Sequence, residues 1–140
     1  MPARYIFISY SSQDAKFAEK LENRLKVAGF EVYRDVPGII AGPLEVQLRD
    51  KIDKADALLL IFSKNSAGSD WVEWEVQTAR DREKKDGINL LCPISLDEDW
   101  TKATWRGPLM NQIKDYAILD FSKPRRFEAM FERLREGLAR

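Results

Sequence analysis

Apolar residues recur along the chain in two alternating rhythms. Tyr5-Ile6-Phe7-Ile8 is a short β-favouring run. Phe17, Leu21 and Leu25 then repeat at four-residue spacing with Ala18 and Ala28 alongside, the mark of an amphipathic helix that Gly29 ends. Phe30-Glu31-Val32-Tyr33 predicts a second short strand. Leu44, Leu48 and Ile52 give a second four-residue stripe, with Pro43 suited to the first turn and an end near Ala55. Ala57-Leu58-Leu59-Leu60-Ile61-Phe62 is the most apolar run, as expected of a strand buried on both faces of a parallel sheet. A third helix is predicted from Trp71 to about Lys85, with lysines in its last turn and Gly87 as its stop. Ile88 to Ile94 reads as a fourth strand, with Pro93 late in it and that end at the sheet margin. Tyr116-Ala117-Ile118-Leu119 reads as a fifth. Pro124 opens a last helix with Phe127, Phe131, Leu134 and Leu138 on its core stripe. Residues 95–115 carry no clear rhythm. Asp97, Glu98 and Asp99 form an acidic loop, Trp100 and Trp105 flank an irregular segment, and Leu109, Met110 and Ile113 suit a short helix. Strand and helix alternating in this way predict an α/β fold, a five-stranded parallel sheet with helices on both faces.

The turns after the strands hold the candidate chemistry, because open α/β sheets bind ligands at the carboxyl ends of their strands. Ser63, Asn65, Ser66, Gly68 and Ser69 break the third strand. Asp70 is then a good N-cap, and Glu73 stands three residues on, as in a capping box. Val72, Val76 and Ala79 form the natural core stripe of the helix, while Trp71 and Glu75 share a neighbouring face about 100° away. An aromatic ring and a carboxylate so placed can hold a ring and a sugar. The plainer alternative is that Glu73 caps, Glu75 is solvated and the tryptophans pack. Between the second strand and second helix, Arg34 to Pro43 contains two prolines and two glycines, which exclude regular structure. Ile39 and Ile40 fall at the tip of this loop, placed either to tuck onto the domain or to meet a partner.

Composition narrows the chemistry. The chain has 140 residues, enough for one domain with a real core, and 44% are apolar. Lys plus Arg and Asp plus Glu number 23 each, so no net field draws nucleic acid or an anionic membrane, and neither is expected as a partner. Cys92 is the one cysteine, which excludes an intrachain disulfide, and its apolar surroundings point to core packing. No zinc-binding spacing, signal-peptide pattern or apolar stretch of membrane-spanning length occurs, so a cytoplasmic chain without a metal site is expected. There is no histidine, which removes Ser-His-Asp and Cys-His hydrolysis and the commonest general base. Neither a GxxxxGK[ST] loop nor a GxGxxG fingerprint is present.

Three motifs in order carry a family resemblance: Phe7-Ile8-Ser9-Tyr10-Ser11, then Arg34-Asp35-Val36-Pro37-Gly38 with Ala41-Gly42, then Ser63 through Glu75. Together they resemble a TIR (Toll/interleukin-1 receptor) domain over residues 4–138. The resemblance implies one domain over residues 1–140 and a flavodoxin-like fold, in agreement with the strand and helix pattern. It also implies one of two functions. Animal receptor and adaptor members are mostly scaffolds that signal by assembling. Many bacterial, plant and axon-degeneration members cleave the nicotinamide–ribose bond of NAD⁺.

The cleaving branch has a Trp-x-x-x-Glu motif with a catalytic glutamate, which Trp71 and Glu75 match. By the same resemblance Phe7, Ser9, Tyr10 and Ser11 line the pocket floor, and Arg34, Asp35, Ala41, Gly42, Ser63 and Trp71 join the substrate-binding set. For Phe7 the alternative is strand core, for Ser11 a helix cap, and for Asp35 a local turn bond. Some cleaving members carry a basic residue where Ser11 stands, which leaves open which cation meets the diphosphate, with Arg34 one candidate. Self-association through the 34–43 loop is implied, with Ile39 and Ile40 at the interface, and another TIR-containing protein or an effector is a further partner. The Arg-Asp-x-x-Pro-Gly pattern of animal adaptors is one residue shorter here and the receptor Phe-Trp box is missing, which favours a prokaryotic-type member in antiphage defence or virulence. NAD⁺ enters as substrate and no resident cofactor is expected. The products are nicotinamide with ADP-ribose or a cyclic isomer. The readings left beside it are a non-catalytic TIR–TIR module and a nucleoside-processing transferase that also uses one carboxylate.

Overall fold

The computed structural model describes residues 4–34, 44–66, 70–97, 113 and 116–139, without the side chains of 44–47, 70 and 71. The first strand, β1 (Tyr5–Ser9), leads through a 3₁₀ turn at Ser12–Asp14 into α1 (Ala15–Val27). Next come β2 (Glu31–Arg34), α2 (Leu44–Lys54), β3 (Ala57–Phe62) and α3 (Asp70–Asp86). After β4 (Leu91–Ser95) and β5 (Leu119–Asp120), a 3₁₀ turn at Pro124–Arg126 opens the last described helix, α4 (Phe127–Leu138). The strands form one parallel sheet of five in the order β2-β1-β3-β4-β5.

Alternation along the strands divides the core in two. Ile6, Ile8, Leu59, Ile61 and Ile94 face α1 and α4, where Leu21, Leu25, Phe127, Phe131 and Leu134 meet them. Phe7, Leu58, Leu60 and Phe62 face the other way, against Leu48 and Ile52 of α2 and Val72, Val76 and Ala79 of α3. All six residues of β3 are buried, as a strand covered on both faces must be. The sheet order reverses at β1, which pairs with β2 on one side and β3 on the other. A crevice opens at such a switch point, beyond the strand carboxyl ends.

Three starts differ from expectation by three residues. β4 starts at Leu91 rather than Ile88. The amides of Gly87 (φ +65°) and Ile88 are spent on the Glu83 carbonyl, closing the end of α3, and Ile88 is 37% exposed. β5 is only Leu119–Asp120, because the Tyr116 amide turns back to the Ile113 carbonyl. Pro124 opens a 3₁₀ turn, and the α-helix proper begins at Phe127. The acidic residues Glu98 and Asp99, both of Trp100 and Trp105, and Leu109 and Met110 lie outside the described residues; Ile113 is helical and buried.

Pro93 lies in an inner strand, yet it stands at a margin of pairing. The Leu90 carbonyl and the Leu96 amide bond to β3, whereas the Ser95 carbonyl bonds to Phe121. Pro93 therefore faces the β5 side, one residue before β5 begins at Leu119 opposite Ile94. Its missing N–H costs no ladder bond there. Leu91 faces the same side, and Glu83 of α3 takes its amide at 2.9 Å and that of Leu90 at 2.7 Å. The other Glu83 oxygen accepts from Arg80 at 2.7 Å and from the Tyr116 hydroxyl. A buried carboxylate thus stands in for the strand that β5 does not supply.

Burial pushes the Glu83 carboxyl up, but the bonds from Tyr116, the Leu91 and Leu90 amides and Arg80 outweigh it and hold the group below its ordinary 4.5. Burial and the bond to Glu83 push the Tyr116 hydroxyl up to about 12. A depressed carboxyl stabilises the fold above its unfolded-state value and loses that contribution as pH falls through the folded one. Glu83→Gln is expected to cost about 1–3 kcal/mol at pH 7. The gap between variant and wild type in urea unfolding should narrow below about pH 4.5. A gap constant down to pH 3 would show that Glu83 does not act as an anion.

Candidate active site

A buried hydrogen bond joins the β1 carboxyl end to α3. Ser9 stands on the same face of β1 as Phe7, the face that α3 covers. On α3, Val72, Val76 and Ala79 are fully buried against the sheet, as their spacing predicts, and Glu75 lies beside that stripe. The Ser9 hydroxyl donates to Glu75 Oε1 at 2.9 Å. Both residues are 0% exposed, so Glu75 is not the solvated side chain of the plainer reading. A hydroxyl bond to a carboxyl oxygen is strengthened in a dry setting, and it fixes the Glu75 side chain beside the carboxyl end of β1. Phe7 is buried below, stacked on Tyr33 with ring centroids 5.4 Å apart. It belongs to the strand core.

The neighbouring turns are tied to each other above this bond. Asp14 occupies the N-cap position of α1 but makes no side-chain cap bond. Its carboxylate crosses instead to the turn after β3. It accepts from Ser63 Oγ at 2.5 Å and from Asn65 Nδ2 at 2.9 Å. Ser63 Oγ in turn accepts the Asn65 amide at 3.0 Å, and the Ser63 amide donates to Ser66 Oγ at 2.8 Å. The Lys64 amide donates to Asp97 beyond β4, at 3.1 Å. Ser63 is thus the hub of a turn. Ser11 accepts the Gln13 amide and caps the short 3₁₀ turn. Asp14, Asn65 and Ser66 were not among the expected site residues. Nothing local marks Asp14 for this role; only the tertiary structure shows its bonds to Ser63 and Asn65.

Arg34 does not join Glu75. It pairs in register with Ile8 and shares that residue's face, the α1 side of the sheet. There its guanidinium donates to Glu22 of α1 at 3.2 Å and to the Tyr10 hydroxyl at 3.2 Å. It also lies over the Tyr10 ring, 5.7 Å from the centroid. Burial lowers the Arg34 pKa, but Tyr10 and Glu22 outweigh it and the net shift is upward. Tyr10 is buried in the α1 cluster. The expected site residues therefore divide across the sheet. Phe7, Ser9 and Glu75 share one face, while Tyr10 and Arg34 share the other. Asp35, Ile39, Ile40, Ala41 and Gly42, and the side chain of Trp71, lie outside the described residues. Among the described residues no cluster of metal-ligating side chains occurs and no helix is long and apolar enough to cross a membrane.

A parallel sheet with an acidic helix start at its switch point defines a class of α/β domain shared by signalling modules and small-ligand enzymes. A family model described as TIR domain matches residues 6–135, and the chain belongs to the TIR domain family. A relative in Danio rerio, named NAD(+) hydrolase SARM1, is 32% identical over 108 residues, a match covering 67% of this chain. The chain spans only 15% of that relative's length. Among solved structures, the TIR domains of the activated Roq1 resistosome, which recognises the pathogen effector XopQ, superpose with a TM-score of 0.78. That match is 16% identical and covers 96% of this chain and 99% of the other. The TIR domain of the Toll-related receptor TRR-2 from Hydra magnipapillata gives 0.72 at 12% identity, covering 95% and 96%. These likenesses at low identity establish the flavodoxin-like α/β fold.

Ser9→Ala is expected to lower the free energy of unfolding by about 1–3 kcal/mol, since it strips a donor from a buried carboxylate. Chemical denaturation of the two chains at pH 7 measures it. An unchanged midpoint would mean that Glu75 does not depend on this bond.

Proposed function

We propose that this TIR domain is an NAD⁺ nucleosidase with Glu75 as its catalytic residue, active when several copies assemble. One observation carries the proposal: the Trp-x-x-x-Glu glutamate is held by Ser9 inside the sheet's switch point, away from bulk water. The named activity of the Danio rerio relative supports the substrate class. The resistosome neighbour supports assembly as the working state.

The reaction suits a single carboxylate. Nicotinamide in NAD⁺ is a cationic pyridinium and leaves as a neutral molecule, so the C–N bond breaks without a proton donor. The electron pair goes to the ring nitrogen and positive charge develops on the ribose. O-glycoside cleavage differs, because there a second carboxyl protonates the leaving oxygen. Glu75 stabilises the oxocarbenium-like ribose and orients it through its hydroxyls. Water then adds its oxygen to the ribose carbon and releases a proton to solvent, giving ADP-ribose, or an adenine nitrogen bonds that carbon to give a cyclic isomer. NAD⁺ is substrate and no resident cofactor takes part. Asp35, Ala41 and Gly42 of the loop and Trp71 of α3 line the nucleotide, and Ser11 and Ser63 support its edges. With Arg34 engaged by Glu22 and Tyr10, another cation meets the diphosphate. Glu75 is covered in the single chain, so substrate reaches it only as neighbouring segments move. That agrees with activity gained on assembly through the 34–43 loop, with Ile39 and Ile40 against a second copy. The shortened loop motif and the absent receptor box support a prokaryotic-type, cytoplasmic member that acts in antiphage defence or virulence.

The same burial favours a second reading, in which the Ser9–Glu75 bond is a strut and the domain is a non-catalytic TIR–TIR module. Nicotinamide release from NAD⁺, followed at rising protein concentration, separates the two. Under the enzyme reading, release per mole of protein climbs with concentration. Glu75→Gln, which keeps the shape and an acceptor for Ser9, should cut release by about 100-fold or more while the chain still assembles. Release at the wild-type rate in Glu75→Gln would remove the assignment. No release at any concentration, with assembly intact, would leave the module.

A further inference from the structure

We infer that Asp14 is a positioning residue for the Glu75 site, a role that rests on the nucleosidase reading above. Among the described residues, side-chain bonds join β1 and the turn after it to the β3–α3 segment at two levels. The inner one joins Ser9 to Glu75 in the core. The outer level is the Asp14 carboxylate, which makes no side-chain cap bond and holds Ser63 and Asn65. An N-cap aspartate would ordinarily bond an amide of its own first turn. Asp14 ends the 3₁₀ turn that Ser11 already caps, and its carboxylate makes two bonds to side chains 49 and 51 residues away.

These two bonds matter because of what lies at each end. Asp14 follows Ser9, Tyr10 and Ser11 on the turn out of β1. Ser63 and Asn65 begin the connection that leads into α3 and to Glu75. Ser63 donates its one hydroxyl hydrogen to Asp14, which points its lone pairs at the amides of Asn65 at 3.0 Å and Ser66 at 3.3 Å. Asp14 thereby fixes the hydroxyl rotor that shapes the turn. Without it, Ser63 is free to rotate and the Asn65 side chain loses its acceptor. The approach to α3 then loosens while both hydrophobic clusters stay packed, because none of these polar groups belongs to either. A carboxylate that must meet a developing ribose cation depends on such placement, and a shift near 1 Å costs up to about 100-fold in rate.

The test uses the full chain at a concentration where it assembles, with wild type, Asp14→Ala, Asp14→Asn and Glu75→Gln side by side. Initial rates of nicotinamide release give kcat and KM, and amide hydrogen exchange reports the turn. We expect Asp14→Ala to lower kcat by about 10- to 100-fold with KM within about twofold. Faster exchange should be confined to the Asn65 and Ser66 amides, with β3 and α1 protected as in wild type. Asp14→Asn keeps one acceptor and should fall between. A merely structural role would instead raise exchange across β1, β3 and α1 and leave kcat per folded molecule unchanged, and that result overturns the inference. So does wild-type kcat in Asp14→Ala while Glu75→Gln is silent. If Glu75→Gln releases nicotinamide as fast as wild type, the reading of the site fails and this inference fails with it.

Discussion

Taking a carboxylate wholly out of water costs several kcal/mol unless the fold gives back what the solvent supplied. The arrangement around Glu75 follows from that constraint. The side chain stands one helical turn into α3, beside a stripe of Val72, Val76 and Ala79 that must face the sheet. Packing the stripe carries Glu75 under the strand ends whether or not a partner waits there. The partner is Ser9, placed by the two-residue period of β1 on the face that α3 covers. A one-residue slip of β1 would turn Ser9 to the α1 side and leave the carboxylate facing Ile8 or Tyr10. Strand register and helix phase are therefore locked to each other by the cost of an unmet buried polar group.

The same logic explains why the turns beyond the strands are ordered by side chains. A parallel sheet delivers its strand ends to one edge, where backbone groups run out of ladder partners. Ser63, Ser66, Asn65, Asp14 and Asp97 supply the missing acceptors and donors. Small hydroxyl and amide residues suit the task because they reach backbone groups within two or three positions. The third-strand loop is rich in them for this reason, and the result is a firm rim around the crevice.

Much of this could be read in the chain. β3 announces itself by six apolar residues in a row, and the four-residue stripes of α1, α2 and α4 by their spacing. The Trp-x-x-x-Glu segment fell on a helix start beside a buried strip, as the periodicity says. Pairings across long separations were not legible. Ser9 and Glu75 are 66 residues apart, and nothing local to either names the other. Arg34 shows the limit most clearly. It ends a strand in the middle of a motif, yet only the register with Ile8 places it on the α1 side, where Glu22 and Tyr10 engage it. Ile88 and Tyr116 have the composition of strand residues. The first is spent on closing α3 and the second on the Glu83 cluster, both tertiary demands that override local preference.

The Glu83 cluster also bears on how copies of this domain can meet. An unpaired strand margin is a template on which another polypeptide can lay itself down. On the β5 side of β4, Leu91 has already given its hydrogen to Glu83, and Pro93 has none to give. An incoming ribbon would find no donors at these alternate positions. Between Leu91 and Pro93 this margin is a poor template for sheet extension, because its backbone donors are already used or missing.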